Sequence, residues 1–187
     1  MTRKLILLLF CATLTFSSIF AADSNEPVTS KNNSFMLLNV ISDGAISARD
    51  LVFTNLETDE EIWFRNLLRI SRLGTTHYLM QELPAGEYYL SGIYPTINGN
   101  ESASRIRVNK SSGTIVIVAN TINYIGDVII KSRETGRGIT TEVDYQPNSA
   151  TLMSAAAREP ATFKSMDTVV SIAGNKPVPV DKRLLGL

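Results

Sequence analysis

A mainly β chain, folded as an antiparallel β-sandwich with a short C-terminal helix and an extended tail, follows from three features of the 187-residue sequence. Short runs rich in Val, Ile, Leu, Tyr and Thr recur between Gly, Pro, Asn and Ser clusters across residues 35–132. Several of these runs alternate apolar with polar residues, as strands with one buried face do. Only one stretch, 147–160, places helix-start and helix-stop signals around an alanine-rich run.

Residues 1–22 read as a secretory signal peptide. Arg3 and Lys4 precede the apolar stretch 5–10, and small residues end at Ala21 and Ala22, where cleavage is expected. Thr13, Thr15, Ser17 and Ser18 dilute the second half, which argues against a spanning helix. The bulky Phe10 before Cys11, and the short apolar length ahead of it, argue against a lipoprotein. Cys11 is the single cysteine, so the exported chain has no disulfide, thiolate metal site or cysteine nucleophile. About 165 residues remain, enough for one core to form without cross-links. Export without disulfides points to a bacterial envelope, periplasmic or extracellular, rather than to a small eukaryotic secreted domain. The Asn-x-Ser triplets at Asn32, Asn100 and Asn109 matter only in a glycosylating eukaryote. The 18 basic and 18 acidic residues balance, and without Arg3 and Lys4 the count is 16 against 18. That near-neutrality excludes the basic footprint of a nucleic-acid binder, and Arg65, Arg69 and Arg72 read as a solvated face.

Residues 23–34, polar and containing Pro27, form a flexible lead-in. The sandwich core is expected over 35–132. The nearly continuous apolar run 35–41 predicts a central strand buried on both faces, broken at Ser42-Asp43-Gly44. Runs 51–56 and 62–65 flank the acidic turn 57–61 as a hairpin. Residues 66–75 read as a connection, with Leu67, Leu68, Ile70 and Leu73 compatible with a short helix or a continuing strand. The β-prone run 77–81 and the strand from Glu87 to Ser91 predict a second hairpin around Leu83-Pro84-Ala85-Gly86, where Pro84 presets φ and Gly86 accepts a positive one. Residues 96–103, with Asn98-Gly99-Asn100 inside them, are expected to be a loop, 105–109 a half-buried strand, the β-branched 114–118 a central strand, and 122–130 another after a few residues. A C-terminal extension, 133–173, adds a turn, an alternating strand from Ile139 to Tyr145, a helix starting near Pro147-Asn148-Ser149 and ended by Pro160, and a last strand at 168–172. Ala150, Met153 and Ala157 share one face of that helix. Residues 174–187, with Pro177 and Pro179, form an extended, mobile tail.

The run Leu83-Pro84-Ala85-Gly86-Glu87-Tyr88, with Tyr124-Ile125-Gly126-Asp127 downstream, resembles the core of bacterial secreted domains of the transthyretin-like and carboxypeptidase-regulatory-like β-sandwich type. The resemblance covers roughly residues 35–132 and implies an Ig-like or transthyretin-like fold. It carries no functional residue across, because ligand sites differ between members of that superfold.

Chemistry-bearing residues are sparse. The one histidine, His77, sits in a β-prone run beside Tyr78, without the Gly-x-Ser-x-Gly or Ser-x-x-Lys context of a serine hydrolase, and reads as a half-exposed strand residue. One histidine and no cysteine leave zinc without its usual ligands. Glu57, Asp59, Glu60 and Glu61 could attract calcium, but the glycine-punctuated calcium loop is lacking and a solvated hairpin tip is the simpler reading. No catalytic, metal or cofactor residue is assigned. Three functions follow in order: a non-enzymatic envelope module that binds a protein or supports an assembly through a sheet edge or face; a small-molecule or carbohydrate-binding sandwich stacking its ligand on Trp63, Tyr89 and Tyr94; and a hydrolase using Asp127, Glu142 and Asp144. Leu184-Leu185-Gly186-Leu187 is an apolar tail that could add as a strand to a partner's edge.

Overall fold

The computed structural model describes residues 34–67, 78–97 and 99–187. The signal peptide, the lead-in up to Asn33, Arg69, Arg72 and His77 lie outside them. The chain is mainly β. In order it forms β1 (Ser34–Gly44), β2 (Ile46–Asn55), β3 (Glu61–Phe64), β4 (Leu79–Leu83), β5 (Gly86–Ile97), β6 (Asn100–Glu101), β7 (Ile106–Arg107), β8 (Ile115–Ile117), β9 (Thr121–Thr135) and β10 (Gly138–Gln146). Helices α1 (Ser149–Arg158) and α2 (Pro160–Ser165) follow, then β11 (Asp167–Val170), β12 (Val178–Pro179) and a 3-10 turn at Lys182–Leu185. Among the described residues no helix is long and apolar enough to cross a membrane.

The described strands form two six-stranded sheets. The first runs β12-β11-β9-β1-β4, with β10 also on β9; the second runs β3-β2-β5-β6, with β7 and β8 also on β5. The larger apolar cluster draws Met36, Leu38, Val128 and Ile130 from the first sheet and Leu51, Phe53, Tyr88, Leu90 and Ile93 from the second. Leu37, between Met36 and Leu38, turns to the other face and joins Ile122, Tyr124, Leu152, Ala155, Ala156 and Phe163 in a second cluster under the helices. The apolar run of β1 is thereby explained as far as Leu38, where both faces are covered, whereas Ile41, expected to be buried with it, is exposed.

Several expectations are corrected. The first sheet is mixed, because β1 and β11 both run parallel to β9. Period-two patterning says which face is buried and nothing of strand direction. The hairpin expected around Pro84 does not form: β4 pairs with β1, whereas β5 pairs with β2 in the other sheet. The Leu-Pro-Ala-Gly turn is a corner between sheets, held by the Tyr88 hydroxyl, which donates to the Pro84 carbonyl at 2.9 Å. The β-branched run expected to be central is the three-residue β8, paired with one end of β5. Pro160 starts α2 as well as closing α1, the position where proline's absent N–H costs nothing. In α1 the buried residues are Thr151, Leu152, Ala155 and Ala156, so the Ala150, Met153, Ala157 face is the outer one. The stretch from Gly174 is folded back rather than extended: Val178–Pro179 pairs with β11, and Leu185 is buried in the second cluster. The β2–β3 hairpin forms as expected, with Asn55 Oδ1 accepting from the Glu57 and Thr58 amides at the turn.

Two backbone features fix the arrangement. At Gly44, with φ at +109°, the chain leaves the first sheet for the second. Ser132 pins that crossing: its carbonyl accepts from the Ala45 N–H at 3.3 Å, and its hydroxyl accepts from the Ile46 N–H at 3.0 Å. In β9 an extra residue enters between Tyr124, opposite Leu37, and Asp127, opposite Asn39. Gly126, at φ +90°, lies in this bulge, where β9 exchanges β11 for β10 on one edge. A regular strand would point residues 124 and 127 to opposite faces; the bulge turns both toward α1.

Candidate functional site

The three aromatics expected to stack a ligand lie in the second sheet, and two of them meet. Trp63 and Tyr94 stack with ring centroids 5.1 Å apart and planes 29° apart. The Arg65 guanidinium lies 4.8 Å from the Trp63 ring and that of Arg49 5.9 Å from Tyr94. Tyr89 is separate, with the Lys110 ammonium 5.1 Å from its ring. Arg49 is itself held by Asp50 at 2.9 Å and Glu101 at 3.0 Å. Each ring already carries a cation of the chain, so this face is a self-satisfied aromatic and cationic ladder. A sugar ring would have to displace those contacts before stacking.

The three acids are likewise divided. Glu142 is exposed on β10. Asp144 accepts from the Gln146 side chain and the Tyr145 N–H, both at 2.9 Å, and these bonds, the Gln146 one foremost, hold its carboxyl below the usual range. Asp127 is only 3 % exposed and is fully engaged. Its Oδ2 accepts from Asn148 Nδ2 at 2.7 Å, and its Oδ1 accepts from the Thr151 hydroxyl at 2.9 Å. Tyr124 Oη lies 3.3 Å from the same Oδ1 and 3.0 Å from the Asn148 carbonyl, and it accepts from the Asn148 N–H at 3.0 Å. Among the described residues no three or more His, Cys, Asp or Glu side chains gather closely enough to hold a metal ion.

This buried node ties the start of α1 to β9. Asn148 is the N-cap of α1, its Oδ1 accepting from the Ala150 N–H at 3.1 Å while its amide reaches Asp127. Asp127 therefore clamps the start of α1 to β9 and sets one wall of an apolar cleft of about 250 Å³. Leu152 and Met153 of α1, Val170 of β11, and Val180, Leu184 and Leu185 of the C-terminal stretch line it, closed at one end by Tyr124 and the segment 147–149. The far wall is fastened by Lys182, whose ammonium reaches Asp167 at 3.3 Å and the Lys164 carbonyl at 3.1 Å. Arg183 pairs with Asp181, which caps the turn. Met153 at 52 % and Leu184 at 71 % exposure stand at the rim. The sequence singles out Asp127 as a candidate acid and Asn148 only as part of a helix start, and gives no sign of Thr151. The available signal was a glycine within a strand, which marks a bulge able to re-aim the next side chain.

Burial, and secondarily the Asp127 charge, pushes the Tyr124 hydroxyl up to about 12; burial also raises Tyr88 and Tyr145. A phenol whose folded pKa exceeds the unfolded value of about 10 contributes stability that is complete below about pH 10 and lost as pH climbs toward the folded value. Melting temperature should accordingly fall between about pH 10 and about pH 12, and less steeply in Tyr124→Phe. A flat profile across that window would contradict this coupling.

No protein-family model, no curated protein and no solved structure matches the chain.

Proposed function

We propose that the chain is an exported, non-enzymatic module of a bacterial envelope whose β-sandwich core presents the cleft beside α1 to a protein partner. The observation that carries this reading is the cleft's chemistry. The surface it offers is almost wholly apolar, although Asn148 and Ser149 stand at one end, and its exposed large apolar residues are Met153 and Leu184. Such surface favours an aliphatic side chain of a partner, whose burial contributes about 1.5–3 kcal/mol. The sandwich reading is supported by the apolar cluster that both sheets share, and export by the pattern of residues 1–22. Asp127, the one fully engaged buried acid of the three considered, has a sufficient structural role in holding α1.

The C-terminal leucines act differently from the free strand expected from sequence. Leu185 is part of the protein's own core, and Leu184 alone offers itself to a partner. The test is a crosslinking pull-down from the envelope fraction comparing the parent chain with Met153→Lys/Leu184→Lys. Because both side chains are largely exposed, folding stability should change by no more than about 0.5 kcal/mol per site. One stoichiometric protein partner should be recovered by the parent and lost by the double variant. Retention of that partner by the double variant, or recovery of none by the parent, would refute the reading.

A further inference from the structure

β10 is a nine-residue strand bonded to β9 along one side, and among the described residues no strand pairs with its other side. Natural edges of this length are usually shortened, bulged or covered, because their open amides and carbonyls invite another strand. The direction of those amides can be read here. The Tyr145 N–H donates to Asp144 Oδ1 at 2.9 Å, away from the β9 ladder, so by the two-residue period Ile139, Thr141 and Val143 also direct their N–H groups outward. On the inner face of the same strand the Thr141 hydroxyl is buried without a hydrogen-bond partner. Thr141 lies in the wall of a groove of about 360 Å³ between β10 and the segment 106–112, which also presents Ile106, Val108 and Val143.

We propose that two copies of this chain pair edge to edge through β10, antiparallel about a two-fold axis at Thr141, making one continuous sheet across the pair. Three axes, at Thr141, Glu142 and Val143, pair at least seven of the nine residues of β10, and charge selects among them. A two-fold axis at Glu142 sets Glu142 against itself, and one at Val143 sets Glu142 against Asp144. An axis at Thr141 sets Glu142 against Thr140 and Ile139 against Val143, with no like charges opposed. It also makes Thr141 an outward-bonding pair with its own copy, bringing the two buried hydroxyls together as a cross-strand threonine pair. On the outer face Glu142 already stands opposite Lys131, and Thr140 opposite Arg133, in the β9–β10 ladder. In the pair each Glu142 is thus flanked by its own Lys131 and, across Thr140 of the second copy, by that copy's Arg133, two strand spacings or ~10 Å away along the backbone and within reach of the long side chains. The Ile139 side chain of the second copy enters the groove beside Val108 and Val143. None of this involves Met153 or Leu184, so the pairing is independent of the cleft.

Sedimentation velocity on the protein purified after export tests the pairing over a wide concentration range. The parent should dimerise reversibly. Glu142→Lys and Arg133→Glu should each raise the dissociation constant about tenfold, since each contact is made twice, and the two together should restore it. Thr141→Pro removes an outward amide without touching the β9 ladder and should yield a monomer with native circular dichroism. A parent that stays monomeric at every concentration overturns the proposal, as do a dimer indifferent to the charge changes and a double variant no tighter than the single ones. If Thr141→Pro does not fold, the charge-exchange trio still decides.

Discussion

Asp127→Ala should lower the melting temperature by roughly 6–12 °C, the equivalent of about 3 kcal/mol in a domain of this size. The loss is large because the carboxylate is the common acceptor for Asn148 Nδ2 and the Thr151 hydroxyl, with Tyr124 Oη beside it, all in a buried setting. Removing it strands donors that cannot regain water, which costs about 1–3 kcal/mol for each group left unsatisfied. Asp127→Asn keeps the shape and one acceptor oxygen but turns an amide donor toward another donor, so about half the loss is expected. Urea unfolding with an unchanged slope would place the effect in the folded state. Because the same carboxylate fixes the first turn of α1, backbone amides 150–153 should exchange faster in Asp127→Ala even far below melting. A variant melting within about 1 °C of the parent would mean that α1 is held by its apolar face alone.

Gly44→Ala should be at least as damaging, with a loss above about 3 kcal/mol or failure to accumulate in folded form. A Cβ at this position would fall 1.9 Å from the Ser132 carbonyl oxygen, a backbone atom that already accepts the Ala45 N–H. Relief would require β1 and β9 to separate where the chain crosses between sheets. The positive φ adds a smaller cost, and the two can be told apart. Gly99 also has a positive φ, at +80°, but nothing lies within 4 Å of its would-be Cβ, so Gly99→Ala should cost only about 1 kcal/mol. Equal losses at both positions, measured by thermal melts, would show that backbone strain rather than the clash sets the cost.

What could be read from the sequence was whatever is decided locally. The β2–β3 hairpin was legible because its turn chemistry lies within a few residues, with Asn55 bonding the next amides and Asp59 adopting φ +56°. The start of α1 was legible because Asn148 carries its own capping chemistry. Partner choice was not local. Pro84 and Gly86 announce a reversal, yet the same reversal serves a hairpin or a corner, and the distinction rests on the Tyr88 side chain folding back to Pro84. Nor does patterning separate the parallel β1–β9 ladder from an antiparallel one. The candidate site was the least legible part. Asp127 meets Asn148 and Thr151 across 21 and 24 residues, and the cleft takes walls from α1, β11 and the C-terminal turn. Trp63 and Tyr94 did converge, and the chain's own arginines then occupied them.

The parallel β1–β9 ladder has a kinetic corollary. Phe35 bonds through its carbonyl to Asn123, 88 residues away, while the antiparallel partner of β1 on its other side, β4, lies much nearer in sequence. A chain emerging from its N-terminus therefore presents Met36, Leu37 and Leu38 with one strand edge open until Thr121–Thr135 has also emerged. Closing such a loop is slow compared with forming the β2–β3 or β9–β10 hairpins. The early chain is for that interval a sticky, half-built sheet, and its yield should depend on a holding factor at the exit site more than on the stability of the finished fold.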